Sequence, residues 1–111
     1  MELDIAISVC ELDDCFGLTV AGVGTEAVEY FERRGLEGNG YTWDGVVDSI
    51  ARLEMPECHD QISSSPEADD LLVTCNDRQV LERLAEQVRR YAADVALMDR
   101  AIEEADPDLL E

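Results

Sequence analysis

The segment LDIAISVCELDDCFGLTVA, residues 3–21, decides the fold class of this chain, because apolar side chains alternate along it with small or polar ones. The apolar residues predicted to share one face of the first strand are Leu3, Ile5, Ile7 and Val9. The acidic stretch 11–14 supplies a turn, and a second alternating strand runs from Phe16 to Ala21. Two alternating strands joined by a short turn predict an antiparallel hairpin with one buried face.

Two helices are predicted between this hairpin and residue 56. Thr25 is suited to cap the first helix, and Gly35 is suited to end it. Residues 38–40, Gly-Asn-Gly, permit left-handed backbone angles and therefore predict a loop. Thr42 is predicted to cap the second helix, in which apolar residues recur at helical spacing, and Pro56 limits that helix.

The remaining sequence predicts a second hairpin and two more helices. A weak strand at 61–64, a turn at 66–69 and an apolar strand at 71–75 form the hairpin. Asn76 is predicted to cap the longest helix, and Asp94 a final helix that ends before Pro107. The order ββααββαα predicts an α+β fold, with one antiparallel sheet of two hairpins and helices packed on one face. At 111 residues, we expect a single domain over 1–111.

Net charge is the most informative property of the composition. Twenty-seven acidic residues face eight basic ones, all arginine, which leaves a net charge of −19. Such a field repels nucleic acid and anionic lipid and attracts cationic proteins. An adaptation to high salt, in which an acidic surface keeps a protein soluble, explains the same number. Composition alone leaves both interpretations open.

Cysteine usage and hydropathy point to a cytoplasmic protein. The four cysteines, at positions 10, 15, 58 and 75, form no CxxC motif and fit no zinc-finger spacing. We expect free thiols, although Cys10 and Cys15 flank a turn and a bond between them stays open. No apolar run approaches the roughly 20 residues needed to span a bilayer, and the acidic N-terminus is unlike a signal peptide.

The sequence offers little for catalysis. His59 is the only histidine, so any hydrolase mechanism has to use it as the base. Its nearest serines, residues 63–65, follow it closely along the chain, and no GxSxG motif or phosphate-binding loop is present. The acid pairs at 13–14 and 69–70 do not fit a calcium loop. We therefore expect no enzyme activity, no metal and no cofactor, with a solvent-facing His59; a small hydrolase using His59 is the alternative.

One segment is unusual: GNGYTWDG, residues 38–45, contains the only tryptophan, a tyrosine and three glycines. Two interpretations compete. Because large aromatic side chains are usually buried, Trp43 is expected to fix the loop to the core. Alternatively, Tyr41 and Trp43 are anchors for a partner, since both residue types are enriched at binding hot spots.

At this segment the sequence resembles the immunity protein 51 family of bacterial polymorphic toxin systems. The resemblance rests on GLEGNGYTWDGVVDSIARL at 35–53. The SPEAD turn, the strand DLLVTCND and the helix RQVLERLAEQVRRYAAD follow in the expected order, so that the resemblance covers roughly residues 28–100. It implies a protein made beside a secreted toxin that inhibits this toxin by occlusion.

The resemblance and the charge together suggest the partner and its contact residues. Many such toxins are nucleases with basic clefts, which an acidic protein can fill; the sequence does not settle whether this toxin is one. We expect a basic cognate toxin, no nucleic acid and no membrane as partners, and leave the oligomeric state open. The expected contact residues, around the glycine-rich loop, are Glu29, Glu32, Glu37, Asn39, Tyr41, Trp43, Asp44 and Asp48.

Overall fold

A computed structural model describes residues 3–110. The predicted order ββααββαα is confirmed, with one short 3-10 helix added before the second hairpin. The strands are β1 (Ile5–Glu11), β2 (Phe16–Gly22), β3 (Ser63–Pro66) and β4 (Leu71–Cys75). The helices are α1 (Glu26–Glu32), α2 (Gly40–Glu54), the 3-10 helix (Pro56–Gln61), α3 (Arg78–Ala92) and α4 (Val95–Glu104).

The four strands form one antiparallel sheet in the order β1-β2-β4-β3. The two central strands contribute buried apolar residues on one face, where Leu18 pairs with Val73 and Val20 with Leu71. The helices cover this face, as the alternation of residues 3–21 predicts. On the outer face, Ser8 Oγ and Thr19 Oγ1 lie 2.9 Å apart across β1 and β2.

The first hairpin turns in two residues, and its register separates two cysteines. The amide of Leu12 donates to the carbonyl of Cys15 at 2.8 Å, which leaves Asp13 and Asp14 at the tip. Cys10 lies opposite Gly17 rather than opposite Cys15. All four cysteines have free thiols, so Cys10 and Cys15 are not bonded in this structure.

The second hairpin begins later than predicted. Residues 61–64 were expected to form a strand, but Gln61 ends the 3-10 helix and the strand is Ser63–Pro66. Pro56 explains the shift: it cannot continue α2, and its fixed φ suits the first turn of a new helix.

Two predicted helix caps are wrong by one to three residues. Asn39, and not Thr42, caps α2, and its side chain accepts a hydrogen bond from the amide of Thr42 at 3.0 Å. Asp77, and not Asn76, caps α3, with its carboxylate accepting from the amide of Gln79 at 2.9 Å. The capping oxygen belongs to the residue with extended backbone immediately before the first helical turn. Asp94 caps α4 as predicted.

Two tyrosines fasten pairs of helices to each other. Tyr30 of α1 donates to Asp99 of α4 at 2.6 Å, and Tyr91 of α3 donates to Glu54 of α2 at 2.5 Å. Burial and the bond to the carboxylate raise the pKa of Tyr91 to about 12. The same bond from the phenol lowers the pKa of Glu54. Within residues 3–110, no helix is long and apolar enough to cross a membrane.

Gly40, the first residue of α2, is where that helix meets the β3–β4 turn. A Cβ atom at this position would lie 2.0 Å from the backbone oxygens of both Glu67 and Asp70. Real Cβ atoms do not approach oxygen so closely, and backbone oxygens cannot rotate away. The helix and the turn therefore remain in contact only if residue 40 is glycine.

We predict that Gly40→Ala lowers the free energy of unfolding by about 3 kcal/mol or more, as overpacking against backbone does. Gly24→Ala is the matched control: Gly24 has a φ of +67° but open space around it, so backbone strain of about 1 kcal/mol is the expected cost. Urea denaturation of both variants is the measurement. Equal losses would show that the contact with the turn is not tight.

Candidate functional site

The segment 38–43 forms the entry to α2, and most of its residues are used by the fold. Gly38 has a φ of +80°, and its amide donates to Thr42 Oγ1 at 3.0 Å. Asn39 caps the helix, and Gly40 packs against the β3–β4 turn. The Thr42 side chain is fully buried beneath this entry. The glycines and polar residues of the motif thus fix the start of α2.

The two aromatic residues of the motif have opposite environments. Trp43 is 0% exposed, and its ring meets Phe31 edge-on at 5.2 Å. Of the two interpretations of Trp43, burial in the core is confirmed, and an indole that packs there has no surface to offer a partner. Tyr41 is 44% exposed. It is the one side chain of the segment 38–43 that combines a large apolar surface with access to solvent.

Tyr41 begins a line of side chains along the outer flank of α2. The line, which we call the α2 stripe, comprises Tyr41, Asp44, Asp48 and Arg52. Spacings of three and four residues place these side chains on one side of the helix. Asp44 and Asp48 are half-buried, whereas the two ends of the stripe are exposed.

The charge of Asp48 is already shared with two basic groups. Arg52 Nε donates to Asp48 Oδ2 at 3.0 Å, and His59 Nε2 lies 2.6 Å from Asp48 Oδ1. His59 belongs to the 3-10 helix and is partly buried, so it is less exposed than predicted. Its side-chain partners in the described residues are Asp48 and the more distant Asp60; a nucleophilic serine is not among them. This geometry gives the hydrolase alternative no support.

The fold places the Asp44 carboxyl group where its ionised form is disfavoured. Partial burial raises the pKa of Asp44, the hydrogen bond with Ser64 of β3 lowers it, and the nearby charge of Asp48 raises it. The net shift is upward, so the fold disfavours the ionised form. An acid kept half-buried at a cost to stability is typical of a functional position.

A cleft lies beside the loop that precedes α2, with a volume of about 320 Å³. The residues that line this loop cleft include Gly22, Val28, Glu37, Asn39, Ala68 and Asp69. Asn39 Nδ2 donates to Glu37 Oε2 at 2.9 Å, which orients that carboxylate. Glu37 and Asp69 are exposed, so two carboxylates border one concave surface. A cationic side chain suits such a site.

Asp69 and Ser64 were missed by the sequence analysis. Asp69 reaches the loop cleft from the β3–β4 turn, and Ser64 reaches Asp44 from β3. Both contacts join positions that are 20 or more residues apart in the chain. No local pattern marks such contacts.

The two predicted contact residues of α1 lie at the border of this region. Glu29 and Glu32 are both exposed. Glu32 follows Val28, which lines the loop cleft, by one helical turn, whereas Glu29 points further around the helix. Seven of the eight predicted contact residues therefore have at least partly accessible side chains, and Trp43 does not.

Comparison with known proteins gives one match. A family model described as immunity protein 51 matches residues 9–107, from the middle of β1 to beyond the end of α4. No curated protein matches the chain, and no solved structure does. The matched range contains the loop cleft and the whole α2 stripe.

Alanine substitutions should separate the two aromatic residues of the motif. We predict that Trp43→Ala lowers the free energy of unfolding by about 3–5 kcal/mol, as expected for a large buried ring. Tyr41→Ala should cost less than about 1 kcal/mol, because its ring is partly exposed. Thermal or urea denaturation measures both. A large loss for Tyr41→Ala would assign that residue to the fold instead.

The raised pKa of Asp44 predicts a pH-dependent gain from Asp44→Asn. Below the ordinary value of 3.8 the carboxyl is protonated in both states, and its penalty develops as the pH rises through the raised folded pKa. The amide has no such penalty, so we expect the variant to be more stable than the parent at pH 7 and to lose this advantage near pH 3. Urea denaturation at both pH values is the measurement.

Asp48→Asn is the matched control for that experiment. It removes the carboxylate that faces Arg52 and His59, and it should lower stability at pH 7. If both amides destabilise the protein equally at pH 7, the ionised Asp44 is not disfavoured by the fold.

Proposed function

The chain belongs to the immunity protein 51 family, and from this we propose that it binds and neutralises a cognate bacterial toxin by occluding it with an acidic surface. The contact region in this proposal consists of the loop cleft, the α2 stripe and the exposed acids of α1. Inhibition requires binding alone, so no residue of the chain is assigned a catalytic role. The net charge of −19 supports a cationic partner, because opposite charges accelerate association.

The main support for this proposal is that the Tyr41 ring is exposed while its neighbours fix its backbone. Asn39 caps the helix on one side of it, Gly40 packs against the turn, and Trp43 is buried two residues later. The backbone of Tyr41 is therefore fixed by its neighbours, while its ring remains accessible. Little conformational entropy is lost when such a ring enters a pocket on a partner. Tyrosine is also among the residue types that dominate binding energies.

Charge supplies the second part of the proposed contact. Glu37 and Asp69 border the loop cleft, and a lysine or arginine of the toxin fits between them. Asp44 adds a carboxylate further along the α2 stripe, and its pairing with a cation would offset the cost of its ionised form. A toxin with a basic cleft, such as a nuclease, presents the complementary surface.

The test is co-expression with the toxin domain encoded beside this chain, followed by titration of the purified proteins. We expect the parent chain to protect the cells. Tyr41→Ala should weaken binding about tenfold or more, which corresponds to the loss of one aromatic anchor. Continued killing despite abundant folded protein would overturn the proposal.

A pair of matched charge variants locates the contact. The double change Glu32→Lys with Glu37→Lys should lower the association rate and abolish most protection. Asp13→Lys with Asp14→Lys changes the net charge equally, but at the far end of β2 from Gly22, roughly 20 Å away at the rise of a strand. We expect this control to bind nearly as the parent does, and equal losses would rule out the loop cleft as the contact.

Salt concentration separates partner binding from adaptation to high salt. For a charge-driven contact, affinity for the toxin falls as ionic strength rises, because salt screens exposed charges. If acidity serves only solubility at high salt, folding itself should require molar salt, and binding should show no such decrease.

A further inference from the structure

The two edges of the sheet differ in how well they are protected against pairing. At the β3 edge, the amide of Glu67 donates to the carbonyl of Asp70, and this bond fixes which residues of β3 pair with β4. The backbone polar groups of the alternate positions, Ser64 and Pro66, therefore face away from the sheet. Pro66 has no N–H to offer there, and β3 has only four residues. Asp44 of α2 also bonds to Ser64. Short length, proline and a covering helix are the usual means of closing an edge.

The β1 edge is less protected: it is longer, and α3 covers it only through Arg89 and through the bond from the amide of Leu3 to the carbonyl of Ala92 at 2.8 Å. Its seven residues include no proline, no lysine and no bulge in the pairing with β2. Bonds from Leu12 to Cys15 and from Val23 to Asp4 mark the bonded pairs of the ladder. The residues that alternate with these pairs direct their N–H and C=O groups outward, and they are Ile5, Ile7, Val9 and Glu11.

One side chain approaches this open edge. Among the described residues, the side chain that hydrogen-bonds to an outward backbone group of β1 is that of Arg89 of α3, which donates to the carbonyl of Ile7 at a long 3.5 Å. A groove of about 600 Å³ runs between Val9 and the flank of α3 that includes Glu82 and Arg89. A smaller groove on the other side of Arg89 is lined by Leu3 and Ile5. The edge and its flanking grooves have room for one more strand.

Helix α3, which flanks the β1 edge, differs in charge from the rest of the chain. Helix α3 carries four arginines and two glutamates, a net charge of +2 in a chain of −19. Arg89 makes no ion pair in the described part of the chain, and neither does Glu11 at the end of β1. Both side chains are exposed. Among the described residues, Arg89 is therefore a free cation beside the open edge, while the other arginines of α3 pair with acids, and Asp4, Asp13 and Asp14 are exposed at the two ends of β1.

We propose that two copies of this chain pair antiparallel through β1, around a two-fold axis, to form a continuous eight-stranded sheet. Antiparallel pairing brings the Glu11 end of each strand to the Leu3–Ile5 end of the other. Leu3, Asp4, Ile5 and Arg89 line the same groove, so Glu11 of one copy comes within reach of Arg89 of the second copy. Because of the two-fold symmetry, this ion pair forms twice in the dimer.

A second copy suits the edge better than a foreign strand does. The chain itself carries both members of the ion pair, neither of which forms an ion pair within the described residues, and Arg89 lies beside Ile7, within reach of a Glu11 that approaches antiparallel. The outward groups of four residues in each strand also allow about eight backbone hydrogen bonds across the interface. At physiological salt, charges more than about 8 Å apart are largely screened, so the acids away from the β1 edge contribute little repulsion.

Sedimentation equilibrium of single and mixed variants is the test. We expect the parent chain to be dimeric at about 100 µM in physiological salt, and Glu11→Arg and Arg89→Glu each to raise the dissociation constant at least about tenfold. An equimolar mixture of the two variants should dimerise again, because both cross-copy pairs then join opposite charges. A monomeric parent chain, or a mixture that stays monomeric, would overturn the proposal. Thermal denaturation confirms that each variant is folded.

Proline variants test the backbone part of the interface. Val9→Pro removes an N–H that points away from β2, so it should leave the monomer folded and prevent pairing. Ser8→Pro removes an N–H of the β1–β2 ladder and should instead destabilise the monomer. A folded Val9→Pro variant that dimerises as the parent does would exclude the β1 edge. Protection from the toxin should survive in the monomeric variants, so this inference and the proposed function fail separately.

Discussion

The contact between the start of α2 and the β3–β4 turn constrains the rest of the structure. A glycine at position 40 allows the helix backbone to lie directly against the oxygens of Glu67 and Asp70, and any larger residue forces the two apart. This contact fixes the direction of α2 across the sheet. Once the direction is fixed, Trp43 must enter the core beside Phe31, and Tyr41 must face solvent. The same contact brings Asp69 to the loop cleft, so one steric condition determines both the core and the surface of this region.

Most residues of the motif around residue 40 serve the fold, although the motif is distinctive in sequence. Gly38, Asn39 and Thr42 form one local network in which an amide, a cap and a hydroxyl satisfy each other. These residues are distinctive because backbone geometry demands them, and a distinctive motif does not by itself identify a binding site. Tyr41 differs, since nothing in the entry to α2 requires an aromatic ring at an exposed position. A function for the motif is therefore best sought in the side chain that the fold does not use.

The parts of the fold that the sequence predicted are those governed by local periodicity. Alternation predicted β1 and β2, and the helical spacing of apolar residues before Pro56 predicted α2. Caps were misplaced because several neighbouring residues have suitable side chains, and only backbone angles decide which one caps. The candidate site was partly predicted: its acids lie near the loop in the chain, but Ser64 and Asp69 arrive through tertiary contacts. The sequence left Trp43 with two interpretations, core residue or partner contact, and packing against Phe31 decides for the core.

The distribution of charge distinguishes the acidic surfaces around α2 from the β1 edge beside α3. The α2 stripe lies toward β3, where Asp44 bonds to Ser64, and the loop cleft lies at the end of the sheet between Gly22 of β2 and the β3–β4 turn. Both carry carboxylates. The β1 edge lies three strand spacings from β3, roughly 14 Å, beside the one helix in which arginines outnumber acids. In the proposed dimer, pairing through β1 would leave the α2 stripe of each copy accessible. A cationic partner would then be selected by the sign of its charge, whereas a second copy would be selected by the geometry of backbone hydrogen bonds, so the two proposed associations use different surfaces.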